Sequence, residues 1–283
     1  MSAPAAPGAA FPRLGATQIE VVAPPPREGI RHAIFDFDGT LSYLRDGWQD
    51  YMVPLLVEVL EGCPRHEPRD ELERLVVDFV DHLTGKQTIY QMIRLAEEVS
   101  KRGGTPLEPL VYKKEYYRRM QGAIDERIEA LRSGREPPER FLVRGAKDFL
   151  DAVSRRGVRC HLASGTDIEL VVEEARLLGL DGYFQGSIHG AVAEYKNFSK
   201  EKIIRRTLEE HALRGSELLI VGDGYVEIQN GRDVQAVTLG VYAPENNRYH
   251  MNANKRERLL RAGAHLLAPD LSEGKEILDY LRV

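Results

Sequence analysis

Hydrophobic positions along the chain fall into two regimes. Between about 46 and 140 they recur at helical spacing: Met52, Leu55, Leu56, Val59 and Leu60 share one face, as do Leu72, Leu75, Val76, Phe79 and Val80. The same period continues around Ile89 to Val99 and from Leu110 to Leu131, and no strand pattern of comparable quality interrupts it. Outside this region short apolar runs alternate with amphipathic stretches. The runs at Arg31 to Asp38, Val158 to Ala163, Leu218 to Val221, Ala236 to Val241 and Ala264 to Leu267 read as strands. Between them, helices are predicted over 146–155, 168–178 (stopped by Gly179), from a Ser199 cap to about 212, and over 272–281. Strands alternating with helices imply an α/β fold with a central parallel sheet covered on both faces, into which an α-helical module is inserted.

Boundaries follow from composition. Residues 1–28 are rich in Ala, Pro and Gly, with Pro24, Pro25 and Pro26 near the end, and are expected to form a loosely ordered lead-in. Pro137-Pro138 closes the helical region. The expected organisation is therefore an α/β core from 29–45 and 141–283, with a helical insert at 46–140.

Charge and cysteine usage narrow the class. A net charge of -5 provides no basic field for a nucleic-acid polymer. Local basic pairs at Lys113-Lys114 and Arg118-Arg119 read as a solvated helix face. Two cysteines, Cys63 and Cys160, are too few for a disulfide framework or a four-ligand zinc site, which implies a reducing compartment. No apolar stretch approaches the ~18 residues of a membrane span, and no signal-peptide pattern opens the chain. The expectation is a cytoplasmic protein with no membrane partner.

The chemistry lies where polar residues meet strand ends. Ligands of open α/β sheets bind outside the carboxyl ends of the strands. Three apolar strands here end in Asp36/Asp38, Ser164/Thr166 and Asp223/Glu227, and adjacent parallel strands would bring all three groups to one edge. Carboxylates from two strands make an all-oxygen site that suits Mg²⁺.

The segment Asp36-Phe37-Asp38-Gly39-Thr40 after an apolar strand resembles the first motif of the haloacid dehalogenase-like (HAD) phosphatases, whose core is Rossmann-like. Leu162-Ala163-Ser164-Gly165-Thr166 is similar to the second motif, and Gly222-Asp223-Gly224-Tyr225-Val226-Glu227 to the fourth, with Glu227 where the family has Asp. The resemblance extends from about 30 to 283. It implies that Asp36 is a nucleophile forming an aspartyl-phosphate and that Asp38 is the general acid/base. It also implies that Ser164 and Gly165 bind phosphate, and that Asp36, Asp223, Glu227 and the main-chain carbonyl of Asp38 hold Mg²⁺. The third motif is a lysine that neutralises the phosphoryl group. One branch of the family places it at the start of the helix before the Asp223 strand, which selects Lys200, and another places it earlier in a loop, which selects Lys196. Lys200 stands ahead, and both remain candidates. The helical insert matches what the family calls a C1 cap, and such a lid implies a small phosphoester substrate, a sugar phosphate or a nucleotide.

A phosphomutase would use the same Asp36 and Asp38, and a non-catalytic phosphoacceptor or phospho-ligand-binding module would also gather carboxylates and a lysine at a sheet edge. Trp48, near Arg45 and Asp46, reads equally as a substrate contact or as packing at the cap hinge. His161 and His189 read as core or loop residues. Glu245, Asn246, Asn247 and Arg248 follow a strand at the same edge and are candidates for ordering the loop beside the metal.

Overall fold

The computed structural model describes residues 10–26, 28–192, 194, 198–244 and 255–283. Its centre is a sheet of seven strands among the described residues: β1 (Glu20–Val21), β2 (His32–Phe35), β3 (Arg159–Asp167), β4 (Ile188–Ala191), β5 (Leu218–Gly222), β6 (Val237–Val241) and β7 (Leu266–Ala268), in the spatial order β1-β7-β6-β5-β2-β3-β4. All neighbours pair parallel except β1, which runs antiparallel to β7. The run His-Ala-Ile-Phe is buried at every position because β2 lies between β3 and β5 with both its faces covered.

Alternation along the strands sends side chains into two separate cores. Ala33, Phe35, Cys160, Leu162, Leu219 and Val221 face one way, onto α5 (Ala146–Arg155), α6 (Ile168–Leu177) and α11 (Gly274–Leu281). There the Phe35 ring meets Phe149 edge-on at 6.1 Å between centroids. Ile34, Ala163, Leu218 and Ile220 face the other way, onto α8 (Lys200–Glu210), and Leu267 packs with Ile228, Leu259 and Leu260 of α9 (Tyr225–Asp233) and α10 (Lys255–Arg261). A short α7 (Asp181–Phe184) precedes β4.

The inserted module comprises α1 (Gln49–Glu61), α2 (Arg69–His82), α3 (Ile89–Lys101) and α4 (Pro109–Arg132). Met52, Leu56, Leu72, Val76, Leu95 and Tyr116 bury one another in a core of its own, so the helical periodicity is satisfied within the cap. The chain enters the cap between β2 and α1, where Arg127 donates to the carbonyls of Leu44 and Asp46 at 2.7 and 2.9 Å and ties α4 to that crossing.

Three expectations need correction. Within the N-terminal stretch expected to be loosely ordered, Ile19 is fully buried and Glu20–Val21 completes the sheet edge, with Arg256 holding the Glu20 carboxylate. Two strand residues in a Pro-rich setting carry no periodic signal, and β7 supplies the template. The strand expected to end at Ala163 runs four residues further, because β3 continues through Ser164-Gly165-Thr166 to Asp167, and α6 then opens at Ile168 where it was expected. Lys113 is not part of a solvated face: it reaches across to Asp167 at 2.6 Å, whereas Arg118 on the same helix is exposed.

Candidate active site

Strand order reverses at β2, since β3 and β4 lie to one side and β5 and β6 to the other, and ligand crevices open where that happens. The three central strands β3, β2 and β5 deliver Ser164, Asp36/Asp38 and Asp223 to a common edge. In the loop after β2, the amides of Leu41 and Ser42 both donate to the Phe37 carbonyl, at 2.9 and 3.0 Å, and this tight turn presents the two aspartates on either side of the fully buried Phe37.

Asp36, Asp223 and Glu227 each offer a carboxylate oxygen, and these oxygens lie within 4.8 Å of one another. All three residues are buried. Lys200 Nζ sits 2.8 Å from Asp36 Oδ1 and 3.1 Å from Glu227 Oε2, while Lys255 Nζ is 2.7 Å from Asp223 Oδ2. Burial pushes the Asp36 carboxyl well above its usual range, the Glu227 and Asp223 charges add to that, and Lys200 opposes it. Burial pulls the Lys200 ammonium down, but Asp36 and Glu227 outweigh it and raise the group above the ordinary lysine value. Lys200 is therefore held against the Asp36 carboxyl that follows β2.

Glu227 reaches this position by folding back over its own loop. Its Oε1 accepts from the Gly224 amide at 2.7 Å, at the N-terminus of α9. A Cβ on Gly222 would stand 2.3 Å from Glu227 Cγ, so the glycine makes room for the side chain. Gly165 serves a similar end on the cap side: a Cβ there would stand 2.9 Å from the carbonyl of Lys86, where the α2–α3 loop closes over the sheet edge.

Asp38 occupies different surroundings. Its Oδ2 accepts from Thr166 Oγ1 at 2.8 Å and from Ser164 Oγ at 3.3 Å, and its buried Oδ1 has no hydrogen-bond partner among the described residues. The Arg45 guanidinium stands 4.0 Å from Oδ1 and is itself held by Glu174 at 2.5 Å. Burial raises the Asp38 carboxyl, against the pull of Arg45 and Thr166. Burial likewise pushes Glu174 up to about 7 despite Arg45 beside it. Two carboxylates one residue apart thus differ in role-defining environment: one is clamped by an ammonium, the other is hydrogen-bonded by hydroxyls.

Asp36, Asp38, Ser164, Gly165, Lys200, Asp223 and Glu227 come together as the sequence suggests. Lys196 and the segment Glu245 to Arg248 lie outside the described residues. Arg45, Glu174 and Lys255 were not anticipated. Arg45 and Glu174 are 129 positions apart, and the buried Lys255 meets Asp223 from a helix more than thirty residues further on, so no local spacing announces either pair. Cap residues Thr84, Gly85, Lys86, Gln91, Tyr116 and Tyr117 roof the site together with Trp48 and Met52, and the space left beneath them is about 90 Å³.

A Mg²⁺ ion fits this donor set. Asp36, Asp223 and Glu227 offer hard carboxylate oxygens within 4.8 Å of one another, the donor type that this ion prefers.

A family model described as haloacid dehalogenase-like hydrolase matches residues 30–234. No curated relative matches the chain. Among solved structures, one described as a predicted phosphatase from Clostridium acetobutylicum superposes with a TM-score of 0.58 at 16% identity, covering 89% of this chain and 100% of its own. One described as a predicted phosphoglycolate phosphatase from Haemophilus somnus gives a TM-score of 0.57 at 16% identity, covering 88% and 97%. A β-phosphoglucomutase from Clostridium difficile gives 0.56 at 14% identity, covering 89% and 97%. At these identities the likeness is one of fold.

Proposed function

This chain belongs to the haloacid dehalogenase-like hydrolases, and from that premise we propose that it is a Mg²⁺-dependent phosphatase acting through an aspartyl-phosphate on Asp36. The observation that carries the reading is a pair of aspartates with different partners: Asp36 lies 2.8 Å from Lys200, and Asp38, two residues on, accepts from Thr166 and Ser164.

In the proposed reaction an Asp36 carboxylate oxygen attacks phosphorus, and the bond to the ester oxygen breaks as Asp38 gives that oxygen its proton. Asp38, now a carboxylate, takes a proton from water as the water oxygen attacks phosphorus, and the bond to Asp36 breaks to release inorganic phosphate. The raised Asp38 carboxyl suits the first half of this cycle, because it keeps the proton to be donated. Lys200, the Ser164 hydroxyl and the Gly165 amide hold the phosphoryl oxygens, and Lys200 supplies a fixed charge that needs no reorganisation. Asp36, Asp223, Glu227 and the Asp38 carbonyl would hold Mg²⁺, which would supply further positive charge against those oxygens.

Substrate class follows from the roof. A cavity of about 90 Å³ accommodates a phosphoryl group and little else, well below the ~300 Å³ or more of a typical ligand pocket. The helical insert therefore has to open to admit substrate and close for chemistry, which favours a small phosphorylated metabolite, a sugar phosphate or a nucleotide, over a phosphoprotein. Tyr116, Tyr117, Trp48 and Lys86 of the insert line the same cavity as Asp36 and are the proposed selecting surface.

The test is phosphate release from a panel of sugar phosphates, nucleotides and other small phosphoesters, with and without Mg²⁺, by wild type and by Asp36→Asn. Magnesium-dependent release by wild type, abolished in the variant, is the expected result. Isomerised phosphoester without free phosphate would indicate a mutase instead, and binding of phosphoesters without turnover would indicate a phospho-ligand-binding protein.

A further inference from the structure

The helix α8 that carries Lys200 at its first position ends at the opposite side of the sheet, in a group of histidines. His32 opens β2, His161 lies on β3, and His211 caps the C-terminus of α8. In the parallel register Ile34 stands opposite His161, so His32 and His161 project from the face that α8 covers. The His32 ring stacks on His161 at 5.1 Å between centroids and lies 4.4 Å from that of His211. One ring nitrogen from each of the three falls within 4.8 Å of the others, and His32 Nδ1 is 2.9 Å from His161 Nε2.

A supporting shell is also present. His161 Nδ1 lies 2.6 Å from Ser187 Oγ, which in turn lies 3.1 Å from His189 Nε2. With Nδ1–H of His161 donating to Ser187 and the hydroxyl donating on to His189, the Nε2 lone pair of His161 is directed at His32 and His211. Metal-ligating histidines are oriented in this manner, through a hydrogen bond from the other ring nitrogen.

We propose that His32, His161 and His211 form a second cation site, for a divalent transition metal of the Zn²⁺ type, with its remaining position open to solvent beside the half-buried His211. Nitrogens around a tetrahedral Zn²⁺ stand about 3.3 Å apart, given bonds of about 2.0–2.1 Å, so an ion would replace the 2.9 Å His32–His161 hydrogen bond and draw together three nitrogens that already lie within 4.8 Å of one another. Arg31 and Arg159 add positive potential here, with Glu210 on the opposing side. The site thus captures its ion by imidazole coordination rather than by field, and the oxygen-seeking Mg²⁺ of the catalytic edge is excluded. A bound ion would pin the end of α8 to β2 and β3, and so fix from below the helix whose first residue is Lys200. The inference does not depend on the proposed reaction.

The experiment is competition for Zn²⁺ between the full chain and a chromophoric chelator in excess Mg²⁺, using wild type, His211→Ala and Asp223→Asn, with thermal unfolding alongside. His211 is half-buried at a helix end, so its replacement leaves the fold intact. Wild type and Asp223→Asn should each bind one Zn²⁺ and gain thermal stability from it, and His211→Ala should bind it weaker by roughly 100-fold or more and lose the gain. Equal Zn²⁺ affinity in wild type and His211→Ala would overturn the proposal. So would Co²⁺-loaded wild type lacking the intense visible absorption of a four-coordinate, nitrogen-ligated ion.

Discussion

At the scale of single residues, the site is a contrast between two aspartates. Asp36 faces Lys200, and Asp38 faces hydroxyls and an arginine that Glu174 also holds. That contrast makes Glu174 a tuning residue. Glu174→Gln keeps an acceptor for Arg45 but removes a negative charge near Asp38, so the guanidinium acts on Asp38 unopposed and its pKa falls. Because Asp38 must be protonated to release the leaving group, the decline of kcat/KM with rising pH should begin at lower pH in this variant. An unshifted profile would show that the pair does not set the proton affinity of Asp38. Asp36, Asp38, Ser164, Asp223 and Glu227 were legible because each sits in the first few positions after an apolar run, where parallel strands present their ends. Arg45, Glu174 and Lys255 were not, since a buried ion pair across 129 residues leaves no trace in local pattern.

At the scale of elements, apolar runs and helical periods located the interior strands and the four cap helices to within a few residues. The misses share a cause. Strand β4 reads Ile-His-Gly-Ala, half-exposed at its start, and is set by pairing with β3 rather than by its own composition. Helix α9 is mostly polar and was hidden in the motif that Glu227 closes. Helix α8, by contrast, announces itself: Ser199 Oγ accepts from the Lys202 amide at 3.1 Å, as the capping pattern requires. Ser199→Ala should cost about 1 kcal/mol. In a chain of this size that lowers Tm by about 2–4 °C, and it should reduce turnover as well, because the first residue of the loosened turn is Lys200. An unchanged Tm would mean that the hydroxyl adds nothing to the helix.

At the scale of the whole molecule, the cap and the sheet are joined by a crossing at residues 44–48, and they meet again where Gln87 donates to the Phe198 carbonyl at 2.8 Å and Lys113 pairs with Asp167. These polar contacts hold the insert over the sheet edge that carries Asp36. No helix among the described residues is long and apolar enough to cross a membrane. Histidine burial gives the folded state a pH dependence of its own. His32 and His161 stay neutral in the fold down to about 4 and about 3, while unfolded histidine takes up a proton near 6.5. The unfolded chain therefore binds more protons in that window, and stability falls as pH drops below about 6.5, by up to about 1.4 kcal/mol per pH unit for each histidine. Above that value these groups contribute no slope. Denaturant titrations between pH 7 and 5 should show a shallower fall in a folded His161→Asn variant than in wild type, and identical slopes would contradict the assignment.

The most direct measurement is the capture of the covalent intermediate. The chain is mixed with a turned-over phosphoester and Mg²⁺, quenched in acid, and analysed by peptide mass spectrometry. The account predicts one phosphoryl group on the peptide containing Asp36, labile to hydroxylamine and absent from Asp36→Asn. Turnover that continues in Asp36→Asn, or a phosphoryl group found on another residue, would contradict it.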